Sequence, residues 1–247
     1  MRDVPEDYYR RLREVDTGHW WHLGMRSLAE ALLNGRLRGA LLDAGCGTGG
    51  FLAWAASTGA FTRLCGIDLS VEAVELARES VPDAELHAAP LDRVPFGDRE
   101  FDLIVSLDVL QHVPDGALDA SLRELRRVLR PGGALLVRTN GHRCARRVRH
   151  DWRAYDAETL TADLRRAGFA TRRVTYANAV PSLAAAARGL RPEAPTGSSC
   201  GIPSVETGAK AALGRGLLEL EARLVARGGR VPYGHTLFAL AEREVVS

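Results

Sequence analysis

A mostly parallel α/β sheet of seven strands with helices on both faces is the fold this sequence predicts, on three observations. Apolar runs of strand length alternate with helical patterns over about residues 37–176, and such βαβ alternation favours a parallel sheet with right-handed crossovers. The run Leu41-Leu42-Asp43-Ala44 passes through Gly45-Cys46-Gly47-Thr48-Gly49-Gly50 straight into an alanine-rich helical pattern, Phe51 to Ser57. The glycines therefore occupy a tight strand-to-helix turn. Finally, 247 residues give room for one elaborated domain with a well-buried core, and a second full domain would be a squeeze.

The elements follow in order. Pro5 suits a helix start, and Tyr8, Leu12 and Val15 make a thin apolar stripe, so residues 5–16 read as a polar first helix. In His19-Trp20-Trp21-His22 two adjacent tryptophans cannot share one helix face, so one of them is expected to face a cleft or cover another element. A helix from Met25 to Leu33 leads through Asn34-Gly35 to the first strand. Arg63 to Asp68 reads as a second strand ending in an acid, with Ser70 as N-cap of a helix from Val71 to Ser80. Ala84 to Ala88 is a third strand and Phe101 to Leu107 a fourth. A helix from Asp115 to Arg130 is stopped by Pro131-Gly132-Gly133, and Ala134 to Thr139 is a fifth strand. Ala157 to Ala167 is a helix ending at Gly168, and Ala170 to Tyr176 the sixth strand.

The rhythm then breaks. Residues 177–232 separate the sixth strand from the final one, His235 to Ala241, a far longer connection than such folds ordinarily use. The stretch holds a Pro/Gly/Ser loop, Arg191 to Ser204, and a helix, about Ala209 to Arg227, with Leu213, Leu217, Leu220 and Leu224 at helical spacing. The predicted organisation is an N-terminal helical arm or lid (1–36), the core (37–176), a helical insert (177–232) and the core's last strand (233–247). The insert serves as a substrate lid or, through the 205–227 helix, as a homodimer interface.

Composition narrows the function classes. Lys+Arg 33 against Asp+Glu 31 supply no global field for nucleic acid, and none is expected as a partner. No apolar run approaches a membrane span and no secretory leader is recognisable. The four cysteines, Cys46, Cys65, Cys144 and Cys200, form no C-x-x-C pair, which points to free thiols rather than to a metal site or a disulfide framework. A cytoplasmic, metal-free protein is expected.

The glycine turn fits two cofactors. Gly45, Gly47 and Gly50 satisfy the dinucleotide-binding pattern, while Asp43-x-Gly45-x-Gly47-x-Gly49 equally fits the acidic-then-glycine turn that holds S-adenosylmethionine. Asp68, about twenty residues on, falls where a parallel α/β fold presents a carboxylate to a ribose diol. The following residues carry a resemblance. Gly66-Ile67-Asp68-Leu69-Ser70, Val94-Pro95-Phe96, Phe101-Asp102-Leu103-Ile104, Val109-Leu110-Gln111-His112-Val113 and Leu129-Arg130-Pro131-Gly132-Gly133 follow the glycine turn in order. Together they resemble the Rossmann-like class I S-adenosylmethionine-dependent methyltransferases, in particular bacterial small-molecule enzymes. His19-Trp20-Trp21 and Pro232-Tyr233-Gly234-His235-Thr236-Leu237 look like one branch of that family.

The resemblance implies S-adenosyl-L-methionine as cofactor and S-adenosyl-L-homocysteine as product. It implies that Asp43 and the backbone of Gly45, Cys46, Gly47 and Gly49 hold the methionyl part, that Asp68 takes the ribose hydroxyls, that Leu69 packs on the adenine and that Leu107 adds backbone contacts. Pro90 stands where many relatives carry an Asp that accepts from the adenine amino group, so the Leu91 backbone or Asp92 serves instead.

Methyl transfer from a sulfonium is an in-line displacement that needs alignment and exclusion of water. A hydroxyl or ammonium acceptor also needs a base, and histidine is the natural one. His112 and His142 follow the fourth and fifth strands, at the edge where ligands bind; His112 also packs over the cofactor in the family turn. Trp20, Trp21, His150 and Tyr155 are candidates to line a substrate pocket, and Arg26 to pair with the cofactor carboxylate. The run Arg143, Arg146, Arg147, Arg149 is either a solvated face or an attractor for an acidic substrate. The insert's apolar spacing favours a hydrophobic or natural-product-like acceptor. Two rival readings stay open: a protein that binds the cofactor without transferring its methyl, in a regulatory role or for a rearrangement, and an NAD-dependent oxidoreductase. The latter lacks a Tyr-x-x-x-Lys pair, since Lys210 is the lone lysine.

Overall fold

The computed structural model describes residues 8–141, 153–187 and 208–244. Seven strands, β1 (Gly39–Ala44), β2 (Phe61–Asp68), β3 (Glu85–Ala88), β4 (Phe101–Leu107), β5 (Leu129–Asn140), β6 (Phe169–Ala177) and β7 (Thr236–Arg243), form one sheet. Their order is β3-β2-β1-β4-β5-β7-β6, with β7 alone antiparallel to its neighbours. Eight helices are described: α1 (Tyr8–Gly18), α2 (Trp20–Leu33), α3 (Gly50–Thr58), α4 (Val71–Ser80), α5 (Asp115–Val128), α6 (Ala157–Arg166), α7 (Ala179–Ala187) and α8 (Ala209–Ala226).

The unbroken apolar runs of β1 and β4 follow from burial on both faces. Successive strand side chains point to opposite sides. Leu42, Ala44 and Ile104 join Leu122 and Leu125 of α5 and Leu160 and Leu164 of α6 in one core. Leu41, Leu103 and Val105 join Met25 and Leu28 of α2, Leu52 of α3, Val74 of α4 and Leu218 of α8 in the other. None of the described helices is long and apolar enough to cross a membrane.

The structure differs from the sequence expectation in three places. First, α2 begins at Trp20 rather than Met25, because His19 caps it: its Nδ1 accepts the Trp21 N–H at 3.2 Å. The two tryptophans do diverge, as adjacent helical positions must. Trp21 is 1% exposed in the core, whereas Trp20 packs on Gly214 of α8. Second, α5 ends at Val128, ahead of Pro131-Gly132-Gly133. Leu129 pairs at once with Phe101, the register shifts, and pairing resumes at Leu103 with Ala134. The Pro-Gly-Gly segment is thus an irregularity within β5.

Third, α7 is an element the pattern did not predict. It starts after Asn178, which holds a left-handed φ of 64° and whose N–H donates to Glu221 of α8 at 2.8 Å. In the insert helix a stripe other than the leucines is buried. Ala211, Leu218, Ala222 and Val225 face α2, while Leu213, Leu220 and Leu224 are exposed. Gly24 decides this: a Cβ there would lie 2.4 Å from Leu218 Cδ1, so only glycine admits the leucine and brings the helices close. The expected loop from Arg191 to Ser204 lies outside the described residues.

Candidate functional site

The site is built at the carboxyl edge of the sheet, around the turn between β1 and α3. Gly45, Gly47 and Gly49 have φ of 96°, 51° and 83°, left-handed values that cost other residues free energy. A Cβ on Gly45 would in addition lie 2.2 Å from Val109 Cγ2. The N–H groups of Gly45 and Cys46 both donate to the Ile67 carbonyl, at 2.8 and 2.9 Å, tying the turn to β2. Asp68, at the end of β2, accepts the Gly47 N–H at 2.9 Å through one oxygen and the Ser70 N–H at 2.9 Å through the other. The Leu69 N–H bonds the same carboxylate, so three backbone donors orient it and about one lone-pair site is left for a ligand.

Asp43 is 2% exposed and its Oδ1 has no hydrogen-bond partner among the described residues. Burial, and then the charges of Asp68 and Asp16, push its carboxyl up to about 8, against the pull of Arg138. A buried carboxyl oxygen without a partner is costly, so Oδ1 offers an acceptor to a cationic or donor group.

The N-terminal arm closes over this turn. Leu12 of α1 lies above Gly47, and Thr48 Oγ1 donates to Asp16 Oδ2 at 3.1 Å. His22 Nδ1 stands 3.0 Å from Asp16 Oδ1, and Arg26 donates to the Asp16 carbonyl. Burial raises Asp16 to about 6, with Thr48 and Arg26 opposing. Burial, and then Arg138 and Arg26, hold His22 well below its ordinary value, hence neutral. Arg138 of β5 joins the arm to the sheet: its guanidinium sits 4.9 Å from the Trp21 ring centre and pairs with Asp108 Oδ2 at 2.8 Å. Asp108, directly after β4, holds a left-handed φ of 59°, a strained conformation of the kind that concentrates at functional sites.

Residues 42–137 match the family described as Methyltransferase domain, across the turn, Asp68 and the end of β4. Those residues make up a methyltransferase domain of the class I S-adenosylmethionine-dependent kind. Over 131 residues the chain is 27% identical to the demethylmenaquinone methyltransferase of Chlorobaculum parvum, covering 53% of either chain. It is 32% identical to the malonyl-[acyl-carrier protein] O-methyltransferase of Pseudescherichia vulneris, covering 63% of this chain and 61% of that one. Across the first curated relatives it matches, the chain spans 36% to 53% of their length. Phosphoethanolamine N-methyltransferase 2 of Haemonchus contortus, solved in complex with S-adenosyl-L-methionine, shares the fold at a TM-score of 0.62 and 16% identity, over 97% of this chain and 58% of that one.

The methyltransferase domain brings many of the sequence-predicted residues together. Asp43, Asp68, Gly45, Gly47, Gly49 and the buried Cys46 form the turn, and Arg26 stands at its arm side beside Asp16. Leu69 is 62% exposed at the end of β2, an apolar surface beside Asp68. Leu91 is buried and Asp92 exposed; Leu107 is half-buried at the end of β4. His112 is exposed, in a 3-10 turn that follows β4. Tyr155 is 1% exposed, packs with the α5 and α6 core residues and bridges Gly141 beside the end of β5. Trp21 is likewise a core residue, while Trp20 lines a groove between α7 and α8. His142, His150 and the basic run from Arg143 to Arg149 fall outside the described residues.

Sequence reasoning missed Asp16, Asp108, Arg138 and any role for His235. Asp108 and His235 flank strand ends, so the rule that ligands bind at strand carboxyl ends held a signal for them. Asp16 and Arg138 meet only through the fold. Among the described residues the cavity of about 430 Å³ between Arg126, Arg166 and Arg243 lies at the opposite edge. Its arginines donate to helix-end carbonyls such as Gly168 O and Arg126 O, the usual complement to a helix C-terminus.

Proposed function

We propose that the chain is an enzyme that transfers a methyl group from S-adenosyl-L-methionine to a hydroxyl of a small, largely apolar molecule. The observation that carries the reading is the pair of carboxylates at the glycine turn. Asp68 is oriented by the backbone N–H groups of Gly47, Leu69 and Ser70, and Asp43 is buried with Oδ1 unpartnered. These residues fit the cofactor: Asp43 for the cationic methionyl end, Asp68 for the ribose diol and Leu69 for the adenine face. Bound there, the cofactor supplies an electrophilic methyl on a sulfonium. The protein's part is to fix the cofactor with these groups, to shut out water with α1 and α2, and to align an acceptor.

Oxygen as the methylated atom is favoured by the malonyl-carrier relative, whose name states an O-methyltransferase. An apolar acceptor is favoured by the exposed Val180 and Leu213, which line the groove beside Trp20. Calorimetric titration with S-adenosylmethionine, S-adenosylhomocysteine and NAD tests the reading. Micromolar binding of the first two, lost in Asp68→Ala, is the expected result. Binding of NAD alone would overturn it. Binding without transfer to any phenol, alcohol or amine acceptor would support a cofactor-binding protein instead.

A further inference from the structure

Along the carboxyl edge of the sheet Asp68 ends β2, the glycine turn follows β1, Asp108 follows β4, Asn140 ends β5, and His235 immediately precedes β7. Because β7 runs antiparallel, its start lies level with the end of β5, with Thr236 opposite Asn140. The carboxylates assigned to the cofactor are on β1 and β2, so β5 and β7 form the side left for the acceptor. Neighbouring strands are roughly 4.8 Å apart, which puts the start of β7 two spacings, about 10 Å, from the strand that carries Asp108.

His235 is 3% exposed, and its Nε2 has no hydrogen-bond partner among the described residues. Its Nδ1 lies 2.9 Å from Ser182 Oγ. Ser182 sets the tautomer. Its one hydroxyl proton goes to the Asn178 carbonyl at 2.6 Å, and its oxygen accepts the His235 N–H at 3.1 Å. With no proton left to give, Ser182 can only accept from Nδ1, so Nδ1 carries the imidazole proton and Nε2 keeps its lone pair. A histidine needed only to tie α7 to β7 would use Nδ1 alone, and an unpartnered buried Nε2 would be pure cost.

We infer that His235 Nε2 is the general base that takes the acceptor's hydroxyl proton, an inference that rests on the methyl-transfer reading above. The acceptor oxygen forms its bond to the methyl carbon, and the carbon–sulfur bond breaks with its electron pair left on sulfur. The O–H proton passes to Nε2, giving an imidazolium. Burial lowers His235 to about 4, with Asp108 opposing, so the ring starts neutral. A weak base suffices, because an oxygen that has gained a methyl while still holding its proton is strongly acidic. His22 has the same unpartnered Nε2, but Arg138 and Arg26 both oppose its protonation. His235 instead has Asp108 to stabilise the cation.

The test uses the full chain with ¹⁵N-labelled histidine, loaded with S-adenosylhomocysteine. Two-bond proton–nitrogen spectra should show His235 as the neutral Nδ1–H tautomer at pH 7. Its Nε2 resonance should move on titration with at least one of phenol, 1-naphthol and cyclohexanol. Methyl transfer from labelled S-adenosylmethionine to that acceptor should fall about 10²–10⁴-fold in kcat in His235→Asn, with KM and S-adenosylhomocysteine affinity within about threefold of wild type. Asparagine keeps an N–H toward Ser182 while removing the base, and His235→Gln checks the result if the first variant misfolds. His22→Asn should instead act through cofactor affinity. An Nε2–H tautomer, an Nε2 resonance unmoved by every hydroxyl probe, or a variant with near-wild-type kcat would overturn the inference while the cofactor reading stands. A wild-type chain that fails to bind S-adenosylhomocysteine would overturn both.

Discussion

Asp43 is the residue whose chemistry is most exposed to experiment, because its folded-state carboxyl titrates near 8 and a free aspartate near 3.9. The folded state therefore holds a proton that the unfolded chain has lost across that window. Stability is fully present below the unfolded value and falls as pH rises toward 8. Asp16, at about 6, adds to the fall in the lower part. The ligand-free chain should thus lose melting temperature between pH 5 and pH 8. Asp43→Asn should flatten the slope, melt higher than wild type at pH 8, and bind S-adenosylmethionine far more weakly. At ~2–4 °C per kcal/mol for a domain of this size, even a 1 kcal/mol gain is readable by calorimetry. An asparagine variant that melts lower at pH 8 would mean that Asp43 is already satisfied in the free protein. Gly45→Ala adds a methyl where Val109 sits 2.2 Å away, at a φ of 96°. A loss of about 2–4 kcal/mol in urea unfolding is expected, and a loss under 1 kcal/mol would show that Val109 simply moves aside.

At the scale of elements, legibility tracked how local the deciding force was. β1 and β4 were readable because burial on both faces leaves continuous apolar runs, and α4 because Ser70 caps it through the Ala73 N–H. The glycine turn with Asp43 and Asp68 was readable because its left-handed backbone demands glycine at fixed offsets. The end of α5 was not, since a register match between Phe101 and Leu129, set by strands distant in sequence, overrode Pro131-Gly132-Gly133 as the stop. Nor was the buried face of α8, which carries two apolar stripes. The choice between them was made by Gly24 on another helix. The leucine stripe so displaced has its own consequence. Leu213, Leu220 and Leu224 are 67%, 58% and 46% exposed along one helix, an apolar surface of the kind that association covers. We expect a homodimer by light scattering, converted to monomer by Leu213→Glu with Leu220→Glu. A monomeric wild type would leave these leucines to the lid role.

Across the whole molecule, stability and ligand binding share the same carboxyl. If the cationic end of the cofactor pairs with Asp43, binding must drive off the proton that the free protein holds there. The groups that act on it are Asp68 and Asp16, which favour the proton, and Arg138, which opposes it. Affinity for S-adenosylmethionine should therefore rise with pH from about 6 to about 8, by at most tenfold per pH unit for one proton, and level off above. Titration at pH 7 in buffers of different ionisation enthalpy should show release of up to one proton per site, and none in Asp43→Asn if residual binding can be measured. Since ligand at a hundredfold excess over Kd contributes about 2.7 kcal/mol, the stabilisation it brings should also be larger at pH 8 than at pH 6, opposite in sign to the slope of the free chain. Proton uptake, or an affinity indifferent to pH, would place the cofactor's charge elsewhere. The next group to test would then be Asp16, the arm carboxyl that α1 lays across the same turn.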